Sequence, residues 1–472
     1  MKYSIAIFWH YFALYGYSIQ FIYKWYRIVS MHLKMITEDF KNKNIVLVGL
    51  GLQGGAVSVA KFLSRFTSRF VITDLKKEAE LRPSVEALSH IQNIHYELGA
   101  HKLETFLSAD CIVIGPSVRR DMPQLISARD KGIPIVSEIE LFFTYNRLPI
   151  IGVTGTRGKT TTTMLIYEML KRDKRQVLMG GNIPGSSTLS LLEKTCDIVL
   201  LELSSWQLSG LHRIGKSPHI AVFTNFFPDH LNFYPSMDEY LFDKQAIYRY
   251  QNATDHLVTN KSLQKIIEKN LPQSHVHYFS QSTFTKEIAL LGNHNRENVA
   301  AAYAVGEILH VSQQSLSALS EFKGVSYRLE NIATIDGVDV YNDTTSTTPI
   351  AGIRAMQTLS ERYKRIILIA GGNSKDLPVE EWLRTVNAMV STILCIEGTF
   401  TDIVLPKLDN NKLLAKVPLT NLENVFSLAM KHAKRGDAIL FSPSATSFAM
   451  FKNEFDRGEQ FNKVVQEYAK SR

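Results

Sequence analysis

The segment from Ile150 to Thr161 leaves the chain few folds to choose from. Ile150-Ile151-Gly152-Val153-Thr154 runs straight into Gly155-Thr156-Arg157-Gly158-Lys159-Thr160-Thr161. A buried strand, a turn whose glycines let successive backbone N–H groups point inward, and a helix opening on Lys-Thr-Thr together make a phosphate nest. Lys159 can reach the β- and γ-phosphates of a nucleotide, and the Thr160 hydroxyl can ligate Mg2+. The strict Walker pattern wants glycine at 153, where this chain has valine. A unit of this kind belongs in a layered α/β domain.

The rest of the chain supports that class. Short β-branched runs at 44–48, 70–73, 111–114, 197–203, 219–224, 338–342, 365–370, 392–396 and 438–442 alternate with longer helical stretches, the pattern of parallel α/β layers. At about 150 residues per domain, 472 residues suggest three. The expected boundaries are 1–40 for an N-terminal extension, 41–145 for a Rossmann-like domain, 146–326 for a central P-loop domain with a mainly parallel sheet, and 327–472 for a C-terminal Rossmann-like domain. With 45% hydrophobic and 21% charged residues, a substantial core is available and whole-chain disorder is excluded. Three widely spaced cysteines, Cys111, Cys196 and Cys395, exclude a disulfide scaffold and a CxxC zinc site, and fit a reducing compartment.

The net charge is +8, and half of it comes from Lys2, Lys24, Arg27 and Lys34 in a stretch without acids. What remains is too thinly spread for a nucleic-acid footprint. The same stretch, Ile5–Tyr26, is apolar and crowded with aromatics. It reads as a short membrane span, as an interfacial segment, or as sequence upstream of a true start at Met31 or Met35. Membrane contact is therefore expected through residues 1–35 or not at all.

A second glycine loop, Gly49-Leu50-Gly51-Leu52-Gln53-Gly54-Gly55, follows the first strand, and Asp74 lies where a ribose-binding acid would be. On its own this loop suits a nicotinamide dinucleotide, another nucleotide, or simple turn geometry.

The ordered set of motifs resembles the Mur ligase family, the ATP-dependent amide-forming enzymes of the peptidoglycan stem peptide. The segments that carry the resemblance are 154–161, Glu202-Leu203-Ser204-Ser205-Trp206-Gln207-Leu208, Thr224-Asn225, Asp229-His230-Leu231 and Gly292-Asn293-His294-Asn295 with Asn298. Tyr327-Arg328-Leu329-Glu330 and Asn342-Asp343 continue it. The Gly-Leu-Gly opening, the Ser-Ser-Trp-Gln-Leu run and Ser442-Pro443-Ser444-Ala445-Thr446-Ser447-Phe448 resemble the branch that adds glutamate to UDP-N-acetylmuramoyl-alanine.

The resemblance implies an acid–amino-acid ligase that forms ADP and phosphate through an acyl phosphate. Its cofactors would be ATP, two Mg2+ ions and a lysine carbamylated by CO2. Its partners would be UDP-N-acetylmuramoyl-L-alanine, glutamate and ATP, with no nucleic acid, in a cytoplasmic monomer. The nucleotide would lie on Thr154, Gly155, Thr156, Arg157, Gly158, Lys159, Thr160 and Thr161, with Asn295 and Asn298 at the adenine. Arg328 and Asp343 would act from the third domain. Lys159, Glu202, His230, Lys244 and Arg328 would be catalytic, and Thr160, Glu202, His230 and carbamylated Lys244 would hold the metals. Gly49, Gly51, Leu52, Gln53, Asp74, Asn182, Ser204 and Gln207 would hold the UDP-sugar, and Thr347, Lys375 and Ser447 the amino acid.

Some positions depart from the family pattern. Thr345 stands where lysine is usual, Tyr327 where histidine precedes the arginine, Glu454 where phenylalanine lines the amino-acid pocket, and Gly115-Pro116-Ser117 where Ser-Pro-Gly is common. D-glutamate is the favoured amino acid, and L-glutamate or another amino acid is the alternative. A sibling Mur ligase, a folate polyglutamate synthase, a non-catalytic nucleotide-binding protein and an NAD-dependent dehydrogenase are the competing readings. The intact Lys159, Glu202, His230 and Lys244 argue against a non-catalytic protein.

Overall fold

A computed structural model describes residues 19–471 apart from 53, 116–117, 183–186, 230–232, 291, 323, 375–376, 415–420, 448–450 and 452, with side chains from residue 27 onward except that of Asn293. It parts into two compact units, Met1–Thr285 with Glu297–Leu319, and Lys286–Arg296 with Ser320–Arg472. The class is α/β, as expected, and three sheets carry it.

The first sheet comprises β1 (Asn44–Val48), β2 (Arg69–Asp74), β3 (Ile94–Leu98), β4 (Cys111–Ile114) and β5 (Ile135–Ser137). Its order is β3-β2-β1-β4-β5 and every pairing is parallel. Chain direction across the sheet reverses between β1 and β4, which opens a crevice at the C-terminal strand ends. The second sheet comprises β6 (Ile150–Thr154), β7 (Val177–Gly181), β8 (Ile198–Glu202), β9 (Ile220–Phe223), β10 (His256–Asn260) and β11 (His275–Phe279). Its order is β11-β10-β9-β6-β8-β7, again parallel throughout. Strands β6 and β8 are buried along their whole length because helices cover both faces, which explains their unbroken apolar runs.

The second unit holds the third sheet, β12 (Glu330–Ile335), β13 (Val338–Asn342), β14 (Ile366–Gly371), β15 (Thr392–Ile396) and β16 (Ala438–Phe441). It runs β12-β13-β16-β14-β15, with β12 antiparallel to β13 and the other pairings parallel. The Asp336-Gly337 turn between β12 and β13 has positive φ at both residues, as a tight hairpin requires.

The helix Ile19–Phe40 precedes β1, and from residue 27 onward one face of it is packed. Val29, His32, Ile36 and Phe40 are buried, the His32 ring Nδ1 lies 3.2 Å from the Leu192 carbonyl oxygen, and the Tyr145 hydroxyl donates to Asp39. Burial lowers the His32 pKa, so a neutral ring occupies the site. Among the described residues no helix is long and apolar enough to cross a membrane. Residues 1–18 of the aromatic stretch lie outside the described residues.

One buried carboxylate ties the first sheet's last helix to a helix of the second sheet. Glu140, 2% exposed, accepts from Arg120 at 2.5 Å and from Arg213 at 3.0 and 3.1 Å, and its Oε2 also accepts from the Ser137 amide at 2.8 Å. Gly210 faces it, with no room there for a Cβ. Glu140→Ala removes the anion and leaves two guanidinium groups, Arg120 half-buried and Arg213 more exposed, without the carboxylate between them. Stability should fall by about 3 kcal/mol, since deleting one partner of a buried pair strands the other charge. Urea unfolding checks this, and a loss below about 1 kcal/mol would mean that water takes over the role of the carboxylate.

Candidate active site

The C-terminal ends of β6, β7, β8 and β9 bring the predicted phosphate-loop residues together. Gly155 and Gly158 adopt φ of 151° and 78°. A Cβ on Gly155 would collide with the Thr224 hydroxyl, and one on Gly158 with the Asn298 amide, so both glycines are required by space as well as by dihedral. Gly158 caps the helix Lys159–Arg172, whose first turn carries Thr160 and Thr161 and aims its orphan N–H groups at the loop. The Lys159 ammonium curls back over the loop, donating to the Gly155 carbonyl at 3.0 Å and the Thr156 carbonyl at 3.3 Å. Thr154 Oγ1 donates to the Leu203 carbonyl at 2.8 Å, which locks the end of β6 to the end of β8. Asn298 is buried and accepts from Thr162 at 3.3 Å.

Lys244 is the least expected member of the group from local pattern alone. It sits on the helix Met237–Gln245, started by Ser236, whose hydroxyl accepts the Glu239 amide. Its side chain is 1% exposed, donates to the Gly155 carbonyl at 3.0 Å and lies 4.9 Å from the Tyr240 ring centroid. Burial holds its pKa well below the usual lysine value, and Lys159 and Arg157 add to the effect against the opposing pull of Asp229.

Glu202 ends β8 and is 3% exposed. Its Oε1 accepts from the Asn182 amide at 3.2 Å, while its carbonyl accepts the Asn182 N–H at 2.7 Å. Ser204 and Gln207, expected at the sugar, form a reciprocal capping box that starts the helix Ser205–Ile214. The Ser-x-x-Gln spacing is the sequence signal of that role.

Among the described residues no group of three or more His, Cys, Asp or Glu side chains is arranged to hold a metal. Glu202 and Thr160 are hard oxygen donors near the loop, and Mg2+ commonly completes its shell with phosphate oxygens and water. The donor chemistry therefore fits magnesium. His230, Lys375 and Gln53 lie outside the described residues.

In the first sheet, Gly49 and Gly51 take the positive φ their turn needs, 87° and 54°. Asp74 Oδ2 accepts the Leu50 and Gly51 amides at 2.8 and 3.2 Å, and its Oδ1 accepts the Lys76 amide at 2.9 Å. Its carboxylate thus organises the loop, and Leu52 stands exposed beside it.

The second unit carries Asn295, Arg328, Asp343, Thr347 and Ser447. Tyr327 and Leu329, on either side of exposed Arg328, have φ of 66° and 46°, conformations that cost non-glycine residues about 1 kcal/mol each. Glu330 accepts the Tyr327 amide at 2.7 Å and Asp343 the Leu329 amide at 3.0 Å, which holds the strained turn in place. Asp343 also accepts from Ser346 and from Ser442 at 2.8 Å, and burial pushes its pKa up to about 6 despite those bonds. Arg457, fully buried, donates to the Thr344 hydroxyl and carbonyl and to the Ala445 carbonyl, clamping the loops after β13 and β16. Burial lowers its pKa to about 10. Ser447 is 2% exposed, lines a cleft with Gly372, Glu397, Thr446, Phe451 and Arg457, and its hydroxyl has no partner among the described residues. Thr347 is half-buried on the loop after β13.

A phosphate loop on a parallel sheet, with a buried lysine beneath it, defines a nucleotide-binding α/β protein. The profile described as Mur ligase middle domain matches residues 153–285, and that described as Mur ligase MurD-like, N-terminal domain matches residues 43–137. A protein of Borreliella afzelii (strain PKo) named UDP-N-acetylmuramoylalanine--D-glutamate ligase is 34% identical over 457 residues, 91% of this chain and 99% of its own length. One of Roseiflexus sp. (strain RS-1) with the same name is 33% identical, covering 90% of this chain and 99% of its own. The chain belongs to the Mur ligase family. Among solved structures, the MurC ligase of Thermotoga maritima aligns with a TM-score of 0.55 at 19% identity over 91% of this chain and 100% of its own. MurF of the same organism, solved with ADP, aligns at 0.53 and 18% over 89% and 98%. At such identity these two speak for the fold.

Proposed function

We propose that this chain joins glutamate, D-glutamate by preference, to UDP-N-acetylmuramoyl-L-alanine at the expense of ATP, a step in making peptidoglycan precursor. The observation that carries the reading is the constellation at the end of β6: a phosphate loop, the Lys159 ammonium folded over it, and Lys244 buried against its Gly155 carbonyl. Agreement with the glutamate-adding relatives along nine-tenths of the chain supports it.

In the first step a substrate carboxylate oxygen attacks the γ-phosphorus, the bond to the β-phosphate oxygen breaks, and ADP leaves. Lys159 and the N–H groups of residues 155–161 neutralise charge there, and Arg328 is assigned to the transferring group. In the second step the amine of glutamate, having lost a proton, attacks the acyl carbon and phosphate departs. Thr160, Glu202, His230 and a carbamylated Lys244 would hold Mg2+, two ions in this reading, which would screen the phosphate charges. A carbamate forms only on a neutral amine, and burial pushes Lys244 toward that form.

Asn295, Asn298 and Asp343 are assigned to the nucleotide. The loop with Gly49, Gly51, Leu52, Gln53 and Asp74, with Asn182, Ser204 and Gln207, is assigned to the UDP-sugar. Thr347, Lys375 and Ser447 are assigned to glutamate, and the partnerless Ser447 hydroxyl supports this. In this reading the domains are 41–145, 146–326 and 327–472, in a cytoplasmic monomer.

The test is phosphate release by the purified full chain with ATP, Mg2+, UDP-N-acetylmuramoyl-L-alanine and a panel of D- and L-amino acids. D-glutamate should give the highest kcat/KM. A preference for L-glutamate would favour the second reading, for which the acid Glu454 beside the Arg457 clamp is the pointer. No release with any amino acid would overturn both.

A further inference from the structure

The end of β7 is pressed against the end of β8. Gly181 has a φ of 90°, and a Cβ there would collide with the Glu202 carbonyl oxygen, so only glycine lets the two backbones lie this close. Asn182 follows and donates its backbone amide to that carbonyl at 2.7 Å and its side-chain amide to Glu202 Oε1 at 3.2 Å. Farther along, Thr188 Oγ1 accepts the Gly181 amide at 3.1 Å and closes the base of the loop that leaves β7. Thr188 is itself held from outside. Glu138, the first residue of the helix Glu138–Tyr145, accepts on Oε1 from the Ser187 hydroxyl at 2.6 Å and from the Leu189 amide at 3.2 Å. Ser187 and Thr188 are buried. An acid in the first turn of a helix needs only the helix dipole to explain it. This one also grips the residues on both sides of Thr188, and bonds to a carboxylate are strong enough to fix a position.

We propose that Glu138 is a positioning residue for the UDP-sugar substrate. Through Ser187, Thr188 and Leu189 it sets Gly181, and with Gly181 the place and direction of the Asn182 side chain. This rests on the ligase reading, in which Asn182 holds the UDP-sugar. The relay contains no residue of the phosphate loop. That loop is fastened instead to the loop after β9, where Asn225 Oδ1 accepts the Arg157 amide at 2.8 Å and Asp229 accepts from the Arg157 guanidinium at 2.6 Å. Disturbing Glu138 therefore reaches the acceptor substrate and leaves nucleotide capture alone.

The test is phosphate-release kinetics of the full chain with UDP-N-acetylmuramoyl-L-alanine varied, beside calorimetric titration of ADP in EDTA, for Glu138→Ala, Thr188→Val and the double variant. Each single variant should raise the KM for the UDP-sugar about tenfold, change kcat less than about threefold and change ADP affinity less than about twofold. The double variant should be no worse than the worse single, because both cuts fall on one relay. Glu138→Gln keeps an oxygen for Ser187 and Leu189 and should hold KM within about threefold of the parent. Thr188→Val keeps the side-chain volume and removes only the acceptor, so it reports on the relay even if Glu138→Ala does not fold. A fall in kcat with KM unchanged would mean lost folded enzyme and overturn the proposal. Unchanged KM, additive losses in the double variant, or an equal weakening of ADP would overturn it too. Failure of the ligase reading looks different, since the parent itself would then release no phosphate.

Discussion

Lys159→Ala is expected to abolish ATP-dependent phosphate release, with kcat/KM down by about 10³-fold or more, while the melting temperature stays within a few degrees. The ammonium sits over the Gly155 and Thr156 carbonyls, at the mouth of the loop. Two anions must meet in the first step, and a fixed cation in a loop of oriented N–H groups lowers that barrier more than the ground-state energy. Removing one such preorganised group typically costs 10²- to 10³-fold, and ATP binding suffers as well. Both carbonyls keep another donor after the change, Lys244 for Gly155 and the Arg157 guanidinium for Thr156, which is why folding should be nearly unaffected. Phosphate release by the purified variant at saturating substrates decides the matter. Activity above a tenth of the parent would remove Lys159 from the mechanism.

The second large effect is expected at Lys244. Lys244→Ala should lower kcat about 10²-fold or more, and a short carboxylic acid in the buffer should restore part of it by filling the space of the missing carbamate. Full activity of the variant without such an acid would end the carbamate assignment. A separate measurement tests the buried amine itself. Because the folded pKa lies well below the unfolded value, folding sheds a proton from this side chain, and its penalty is greatest at low pH. The penalty shrinks as pH climbs from the folded value toward the ordinary one near 10.4. In CO2-free buffer, Lys244→Met should therefore be more stable than the parent at pH 6, and the gain should fade toward pH 10. A gain that grows with pH would contradict the burial argument.

The fold was legible where physics leaves an unbroken signal. Central strands such as β1, β6, β8 and β14 are buried on both faces and read as plain apolar runs. The strands that sequence reasoning left unmarked include β3, β5, β7 and β11, which are edges of the first two sheets. An edge strand needs neither length nor two dry faces, so Ile94-His95-Tyr96-Glu97-Leu98 and His275-Val276-His277-Tyr278-Phe279 carry polar residues and no clear run. At the site, the phosphate loop was legible because its glycines and lysine have fixed spacing. The Arg157–Asp229 pair, the Glu140 network and the Arg457 clamp were not, since each joins residues from 20 to 113 positions apart. The strained turn at Arg328 was also hidden, because Tyr327 and Leu329 have no intrinsic preference for positive φ.

The Asp74 carboxylate has a consequence for how fast and how tightly the first glycine loop can capture a guest. Two of the loop's amides, those of Leu50 and Gly51, already rest on that side chain, so this turn is shaped before anything arrives, and little of its chain freedom remains to be lost on docking. Capture there should look like a key entering a finished lock, quick and without a slow rearrangement phase.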